Sequence, residues 1–143
     1  MIARNVTSKS SVVITESDFD RLKHLVESPR YRRAGPIPLA PLRRELLDGE
    51  VVAPTRVPRD VVTMHSRVSV RDVRAKEPET YTLVYPDEAN FDEGKVSVLA
   101  PMGTALIGAR EGSVVSFDAP GGRRRLKIVK VLYQPEAAGD FHL

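Results

Sequence analysis

A change in the spacing of apolar residues near Pro54 constrains the fold of this 143-residue chain more than any other feature. Before Pro54, apolar residues recur three or four positions apart, which is typical of helices that pack on one side. After Pro58 they alternate with polar residues, which is typical of strands in a half-buried sheet. The length suits one ordinary core with an extension rather than two full-sized domains. We therefore expect an α+β protein whose helices precede its strands.

Two short helices are predicted in the first third of the chain. The first begins at a cap supplied by Thr15 or Ser17 and ends before Pro29, because a residue that precedes proline is disfavoured in helical conformation. The second tolerates Pro41 in its first turn and ends at Gly49. Their apolar faces would be formed by Phe19, Leu22, Leu25 and Val26 in the first helix and by Leu39, Leu42, Leu46 and Leu47 in the second. Such helices predict a short antiparallel hairpin of the coiled-coil type.

The connector between these helices is rich in proline and basic residues. It runs from Pro29 to Pro38 and reads as a turn without a single Asp or Glu. Arg30, Arg32 and Arg33 would then form basic contacts at the tip of the hairpin. We keep this as a hypothesis about an acidic partner, because a modest basic excess is also typical of a solvated surface.

The remainder of the chain predicts five strands and one short helix. The strands are expected at residues 67–73, 81–85, 96–100, 113–118 and 123–133, and the helical turn at 103–107. Pro120-Gly121-Gly122 predicts a hairpin between the last two strands. Apolar residues on both faces of the last strand indicate a central position in the sheet. Pro54 and Pro58 bracket a linker, so the predicted organisation is a flexible tail (1–10), a helical hairpin (11–53), a linker (54–59) and a β domain (60–143).

No catalytic, metal-binding or cofactor-binding constellation emerges from the sequence. Cysteine is absent, and the three histidines are far apart without a partner at metal-ligand spacing. Ser66 lies in no recognisable nucleophile motif. The glycines at 103 and 108 have the spacing of a phosphate loop, but Ala109 and Arg110 replace its Lys and Ser/Thr. We therefore expect no enzyme, no cofactor and no small-molecule substrate.

Charge and hydropathy bear on the partners of the protein and on its location in the cell. Up to Arg59 the chain carries 11 Lys and Arg against 7 Asp and Glu, whereas from Asp60 onward it carries 11 against 12. The basic N-terminal part, or Arg123 to Arg125 after the hairpin turn, could contact nucleic acid weakly. No apolar run approaches the length of a membrane span, and no secretory signal is visible in the first ten residues. Together with the missing cysteines, this favours the cytoplasm.

Three segments, read in order, resemble the C-terminal domain of the GreA/GreB transcription elongation factors. They are Pro58-Arg-Asp-Val-Val-Thr-Met-His-Ser-Arg-Val-Ser-Val70, Thr82-Leu-Val-Tyr-Pro86 and Ser97-Val-Leu-Ala-Pro-Met-Gly-Thr-Ala-Leu-Ile-Gly108. The closing segment, Leu132 to Leu143, is similar to the Rnk branch of this family, the regulators of nucleoside diphosphate kinase. The resemblance implies an FKBP-like bent antiparallel sheet around a short helix, which docks near the secondary channel of RNA polymerase.

The same resemblance marks where this chain departs from the cleavage factors. Those factors carry a long coiled coil whose acidic tip holds a catalytic magnesium ion, whereas here each helix has about three turns and the tip is basic. The expected function is an RNA polymerase regulator that competes with Gre factors without stimulating transcript cleavage. By motif matching, Pro101, Met102 and Gly103 would contact polymerase, or would only shape the turn. Direct or indirect action on nucleoside diphosphate kinase and basic nucleic-acid binding remain alternatives.

Overall fold

The computed structural model describes residues 12–32 and 39–143 and has the expected α+β composition. The elements are β1 (Val13–Thr15), α1 (Glu16–Glu27), α2 (Pro29–Arg32), α3 (Ala40–Asp48), β2 (Glu50–Val52), β3 (Arg67–Asp72), β4 (Glu79–Val84), β5 (Lys95–Ser97), α4 (Pro101–Leu106), β6 (Val114–Ala119), β7 (Gly122–Tyr133) and α5 (Pro135–Ala138). Short 3₁₀ turns lie at Pro54–Arg56, Pro86–Glu88 and Phe91–Glu93. No helix in this part of the chain is long and apolar enough to cross a membrane. The predicted tail at 1–10 lies outside the described residues.

The predicted limits of the two N-terminal helices are confirmed. Thr15 caps α1, since its Oγ1 accepts a hydrogen bond of 3.1 Å from the Asp18 amide, and Ser28 is extended before Pro29. Gly49 ends α3 in an extended conformation, where a Cβ would lie 2.9 Å from both Glu45 O and Ile14 Cδ1. Close approach, rather than a left-handed backbone, therefore requires glycine at this position.

Two details of the helical part differ from the prediction. Leu47 is 84% exposed and not on the apolar face of α3. Successive helical residues are about 100° apart, so a face centred on Leu42 and Leu46 leaves Leu47 outside it. In the connector, which was expected to be a turn throughout, residues 29–32 form the short helix α2.

A parallel pair of three-residue strands, β1 and β2, was missed. Val13 pairs with Glu50, and Thr15 pairs with Val52, so the strand that leads into α1 lies beside the strand that follows α3. The Val13 amide also donates to Gly108 O at 3.3 Å, which ties this pair to the segment after α4. Three residues are too few to establish an alternating pattern, and parallel pairing requires a partner distant in sequence.

The main sheet contains all five predicted strands, in the order β5-β4-β3-β7-β6. All neighbours are antiparallel except β4 and β5, which run parallel. The alternation is confirmed, because the inward residues are buried: Val68, Val70, Tyr81, Leu83, Val96, Val115, Phe117, Leu126 and Ile128. The predicted hairpin is also present, with Ala119 opposite Gly122.

Two bulges in β7 bend the sheet. The register with β3 skips one residue between Ile128 and Lys130 and another between Val131 and Tyr133. The skipped residues, Val129 and Leu132, are each 44% exposed. A bulge turns an extra residue outward and increases the local twist. The strand β7 therefore has apolar residues on both faces because of its bulges, and not because both faces are buried.

The apolar core is continuous across the predicted linker. Leu22 of α1 and Leu42 of α3 belong to the same buried cluster as Val68, Leu106 and Ile128. Helix α4 fills the centre, where Thr104 Oγ1 donates to Val98 O at 2.7 Å. The helices therefore share one core with the sheet, and the division at 54–59 follows the order of the chain rather than a gap in packing.

Gly103 is the position where this packing is tightest. A Cβ there would lie 1.9 Å from the carbonyl oxygen of Ser97, so Gly103→Ala requires the backbone to move. We expect Gly103→Ala to destabilise the fold by about 3 kcal/mol or more, as severe overpacking does. Gly121→Ala is the matched control, because nothing lies within 4 Å of its Cβ position. Urea unfolding of both variants checks this, and equal midpoints would contradict the packing.

Candidate functional site

The segment that was predicted to contact polymerase begins α4. Pro101 is exposed at the first position of the helix, where its missing amide costs nothing. Met102 is 7% exposed and belongs to the core, and Gly103 is buried against Ser97. Met102 and Gly103 thus shape the turn between β5 and α4, and the surface that this segment offers to a partner is Pro101.

A groove extends from Pro101 along the edge strand β6, and we call it the edge groove. It has a volume of about 360 Å³. Its apolar lining comes from Pro41 of α3, Leu99, Pro101 and Phe117. An exposed ion pair between Arg123 and Asp118, 2.9 Å long, lies at its rim. An apolar floor with a charged rim is the usual composition of a protein-binding surface.

The predicted basic tip is described only in part. Arg30 is exposed in α2, and its guanidinium carbon lies 5.3 Å from the ring centre of Tyr31. The backbone of Arg32 ends α2, and Arg33 lies outside the described residues. Arg30 also lines a groove of about 800 Å³ between α1, α2 and the loop at 85–88. The stacked guanidinium remains open to an acidic partner.

A buried carboxylate, which the sequence analysis missed as a site, joins the helices to the sheet. Asp18 of α1 is 2% exposed, and its Oδ2 accepts a hydrogen bond of 3.0 Å from the Met64 amide. Arg21 Nη2 donates to Asp18 Oδ1 at 3.2 Å. Burial raises the pKa of Asp18 to about 6, although the Met64 amide opposes this. This contact holds the start of α1 against the loop that leads into β3.

His65 and Tyr85 lie beside this contact, on the wall of the larger groove. His65 has a positive φ of 68°, and its Nε2 lies 2.9 Å from Glu88 Oε1. Arg21 stacks over the Tyr85 ring at 5.4 Å, and burial raises the pKa of Tyr85. His65 Nδ1 and Tyr85 Oη are buried, and neither has a partner among the residues that the structure describes.

The hydroxyl groups of this junction are joined in a chain of hydrogen bonds. Ser66 is buried, and its Oγ accepts from the Thr63 amide at 2.9 Å, which closes the turn before β3. Thr63 Oγ1 donates in turn to Glu136 at 2.7 Å. Within residues 12–32 and 39–143, no group of three His, Asp or Glu side chains could hold a metal ion. The polar groups here orient the turn and fix α1.

The sequence contained a partial signal for the Asp18 contact. Asp18 follows Thr15 by three residues, as the acid of a capping box does, and a capping acid should reach back to the cap amide. It binds Met64 instead, 46 residues away. The capping box prefers Glu or Gln at this position. The shorter side chain of Asp18 fits a distant partner better than the cap amide.

Comparison with known proteins gives consistent matches. The family described as "Transcription elongation factor, GreA/GreB, C-term" matches residues 57–133. The "Regulator of nucleoside diphosphate kinase" of Escherichia coli K12 is 40% identical over 138 residues, which is 95% of this chain and 99% of that protein. GreA of Methylococcus capsulatus is 37% identical over 64% of this chain and 59% of its own length. A GreA/GreB structure from Nitrosomonas europaea superimposes with a TM-score of 0.71 at 38% identity, covering 86% of this chain and all of its own.

The buried carboxylate predicts an unusual pH dependence of stability. Because the pKa of Asp18 is raised in the folded state, the folded state binds its proton more tightly than the unfolded chain does. The contribution of Asp18 to the free energy of unfolding should thus increase as the pH falls through 6 toward 4. Glu136, Arg21 and Tyr85 also face this group, so we compare the wild type with Asp18→Asn, which cannot titrate.

We expect the stability of the wild type, relative to Asp18→Asn, to rise by about 2 kcal/mol between pH 7 and pH 4.5. Urea unfolding at the two pH values measures this difference. Asp20→Asn, at an exposed position of the same helix, should show no such change. If the difference in free energy of unfolding between wild type and Asp18→Asn does not change with pH, the carboxylate titrates alike in the folded and unfolded states, which would contradict the prediction.

Proposed function

The chain belongs to the GreA/GreB family of transcription elongation factors, in its Rnk branch, and from this premise we propose that it binds RNA polymerase near the secondary channel. There it competes with Gre factors and does not stimulate transcript cleavage. The relatives are regulators or elongation factors, so the chain is a regulator of the same general type. The observation that carries the proposal is an exposed Pro101 beside an apolar groove, within the residues that match the family.

Docking through the edge groove is supported by its composition. The strand β6 is an edge of the sheet in the described part of the chain, where no further strand pairs with its outer side. Pro41 and Pro101 form rigid walls that lose little conformational freedom when a partner binds. Arg123 and Asp118, at the rim, can select a partner of complementary charge. The β domain, which the family relation suggests is FKBP-like, would make the main contact.

The absence of cleavage activity is proposed from the size and charge of the helical part. Helices α1 and α3 have 12 and 9 residues and extend about 18 and 14 Å. Both contribute to the core, so neither projects freely from the β domain. Residues 29–38 contain no Asp or Glu that could hold a catalytic magnesium ion. Arg30, Arg32 and Arg33 would repel such an ion and would instead modulate access at the mouth of the channel.

Two further points complete the proposal. The protein acts in the cytoplasm, where polymerase is, and is not itself an enzyme. The 40% identical relatives are named for an effect on nucleoside diphosphate kinase, and we propose that any such effect of this chain is indirect, through transcription.

A cleavage assay on stalled elongation complexes tests this proposal. The protein alone should produce no transcript cleavage, and increasing concentrations should suppress cleavage stimulated by a Gre factor from the same organism. Pro101→Glu, which places a charge at the edge groove, should weaken this competition at least tenfold. Pro78→Glu is the control, because Pro78 is exposed at the start of β4 and outside the groove. Cleavage by the protein alone, or equal competition by both variants, would overturn the proposal.

A further inference from the structure

The outward face of the main sheet carries an array of basic side chains. On β3, β7 and β6, the residues opposite the buried ones point away from the core. Their cationic members are Arg67 and Arg71 on β3 and Arg123, Arg125, Lys127 and Lys130 on β7. All six are exposed or half-exposed. We call this surface the basic face.

The pairing register sets the spacing of these charges. Arg123, Arg125 and Lys127 follow one another at alternate positions, about 6.7 Å apart along the strand. Arg71 lies directly opposite Lys127, and Ser69 lies opposite Lys130. The result is a regular line of cations along β7 with further cations on the neighbouring strand about 4.8 Å away.

Acids are nearly excluded from this face, although the β domain as a whole carries more acids than bases. Of the outward positions of β3, β6 and β7, Asp118 is the acidic one, and it pairs with Arg123. Asp72 faces inward, opposite Leu126, and binds Arg124 at 3.3 Å. In the described part of the chain, no ion pair involves Arg67, Arg125, Lys127 or Lys130. The fold thus separates charges that are mixed in sequence.

We propose that the basic face binds the phosphate backbone of double-stranded DNA without regard to sequence. Arg125, Lys127 and Lys130 of β7 and Arg67 of β3 have no ion pair within the described residues, and such a group of cations complements a polyanion with regularly spaced charges. Protein-binding surfaces have an apolar centre that is poor in lysine, whereas the outward positions of this face are mostly cationic, and its apolar members, Val114, Val129 and Leu132, are only partly exposed. The choice of DNA as the polyanion rests on the proposed role in transcription.

The aromatic content of the face favours a duplex over a single strand. Proteins that bind single strands stack the bases on exposed aromatic rings. Tyr133 is the aromatic residue in an outward register position, opposite Arg67, and its hydroxyl is engaged by Asp140. A duplex presents its phosphates outward and needs no stacking platform. Contacts of this kind give weak, strongly salt-dependent binding.

The test is the binding of the full chain to a short fluorescent DNA duplex, measured by anisotropy between about 50 and 200 mM salt. The double variant Arg125→Gln/Lys127→Gln removes two charges from the basic face and keeps the side-chain stems. The double variant Lys23→Gln/Arg44→Gln removes the same two residue types from exposed positions of α1 and α3. Urea unfolding verifies that both variants are folded.

We expect salt-dependent binding by the wild type, with a log–log slope of about −3 to −5 for four to five phosphate contacts. The basic-face variant should bind at least tenfold more weakly at low salt and lose about two units of slope, whereas the control should retain both. Equal losses in the two variants would mean that net charge alone is responsible and would overturn the proposal.

Two competitors test the identity of the occupant. Poly-glutamate of matched charge should compete poorly, and effective competition would assign the face to an acidic protein. Single-stranded DNA that binds more tightly than the duplex would contradict the duplex assignment. Since no polymerase is present in these measurements, their failure would leave the docking proposal untouched, and DNA binding that they measure would stand even if competition in the cleavage assay failed.

Discussion

The contact between the Asp18 carboxylate and the Met64 amide is the interaction on which the arrangement of this protein depends. It joins a helix of the N-terminal part to the turn that leads into the central strand β3. An isolated buried carboxylate is costly, and here hydrogen bonds from a backbone amide and from Arg21 offset part of that cost, although burial still raises the pKa of Asp18. Because α1 is fixed at its start, Leu22 and Val26 can reach the same core as the sheet.

This fixed position has consequences for function. Helices of 12 and 9 residues that contribute to the core of the β domain form a compact base rather than an extended arm. Two of the surfaces that we propose for partners, the edge groove and the basic face, lie mainly on the β domain, and Pro41 of α3 contributes to the groove. Arg123 borders both surfaces, since it lines the groove and occupies an outward position in β7. We therefore propose that the protein is a docking module that occupies a site on polymerase and also binds double-stranded DNA weakly.

The accuracy of the sequence-based predictions follows the range of the interactions involved. The alternation in β3 and β4, the cap at Thr15 and the hairpin at Ala119 to Gly122 are local, and the structure confirms them. The pair β1 and β2 was missed because its strands are short and distant in sequence. The burial of Met102 could not be anticipated, since exposure at a helix start depends on what packs over it.

Predicting the separation of charges on the sheet would have required the register of β3 against β7. That register includes two bulges that no sequence period reveals. Arg123 to Arg125 are consecutive in sequence, and the alternation of a strand alone predicts that Arg124 faces the opposite side, where it stacks on Phe117. The Asp18 contact likewise joins residues that are 46 positions apart. Both sites arise from long-range pairing, which a count of charges along the sequence does not reveal.

If the helices and the sheet share one core, they should unfold as one unit. Native-state hydrogen exchange measures this most directly. The amides of Leu22 and Val26 in α1 should exchange with the same free energy and denaturant dependence as that of Leu126 in β7, because all three residues lie in one core. Exchange of the α1 amides through a local opening of much lower free energy, while β7 stays protected, would contradict it. In that case the helices would be a separate arm that is free to leave the β domain.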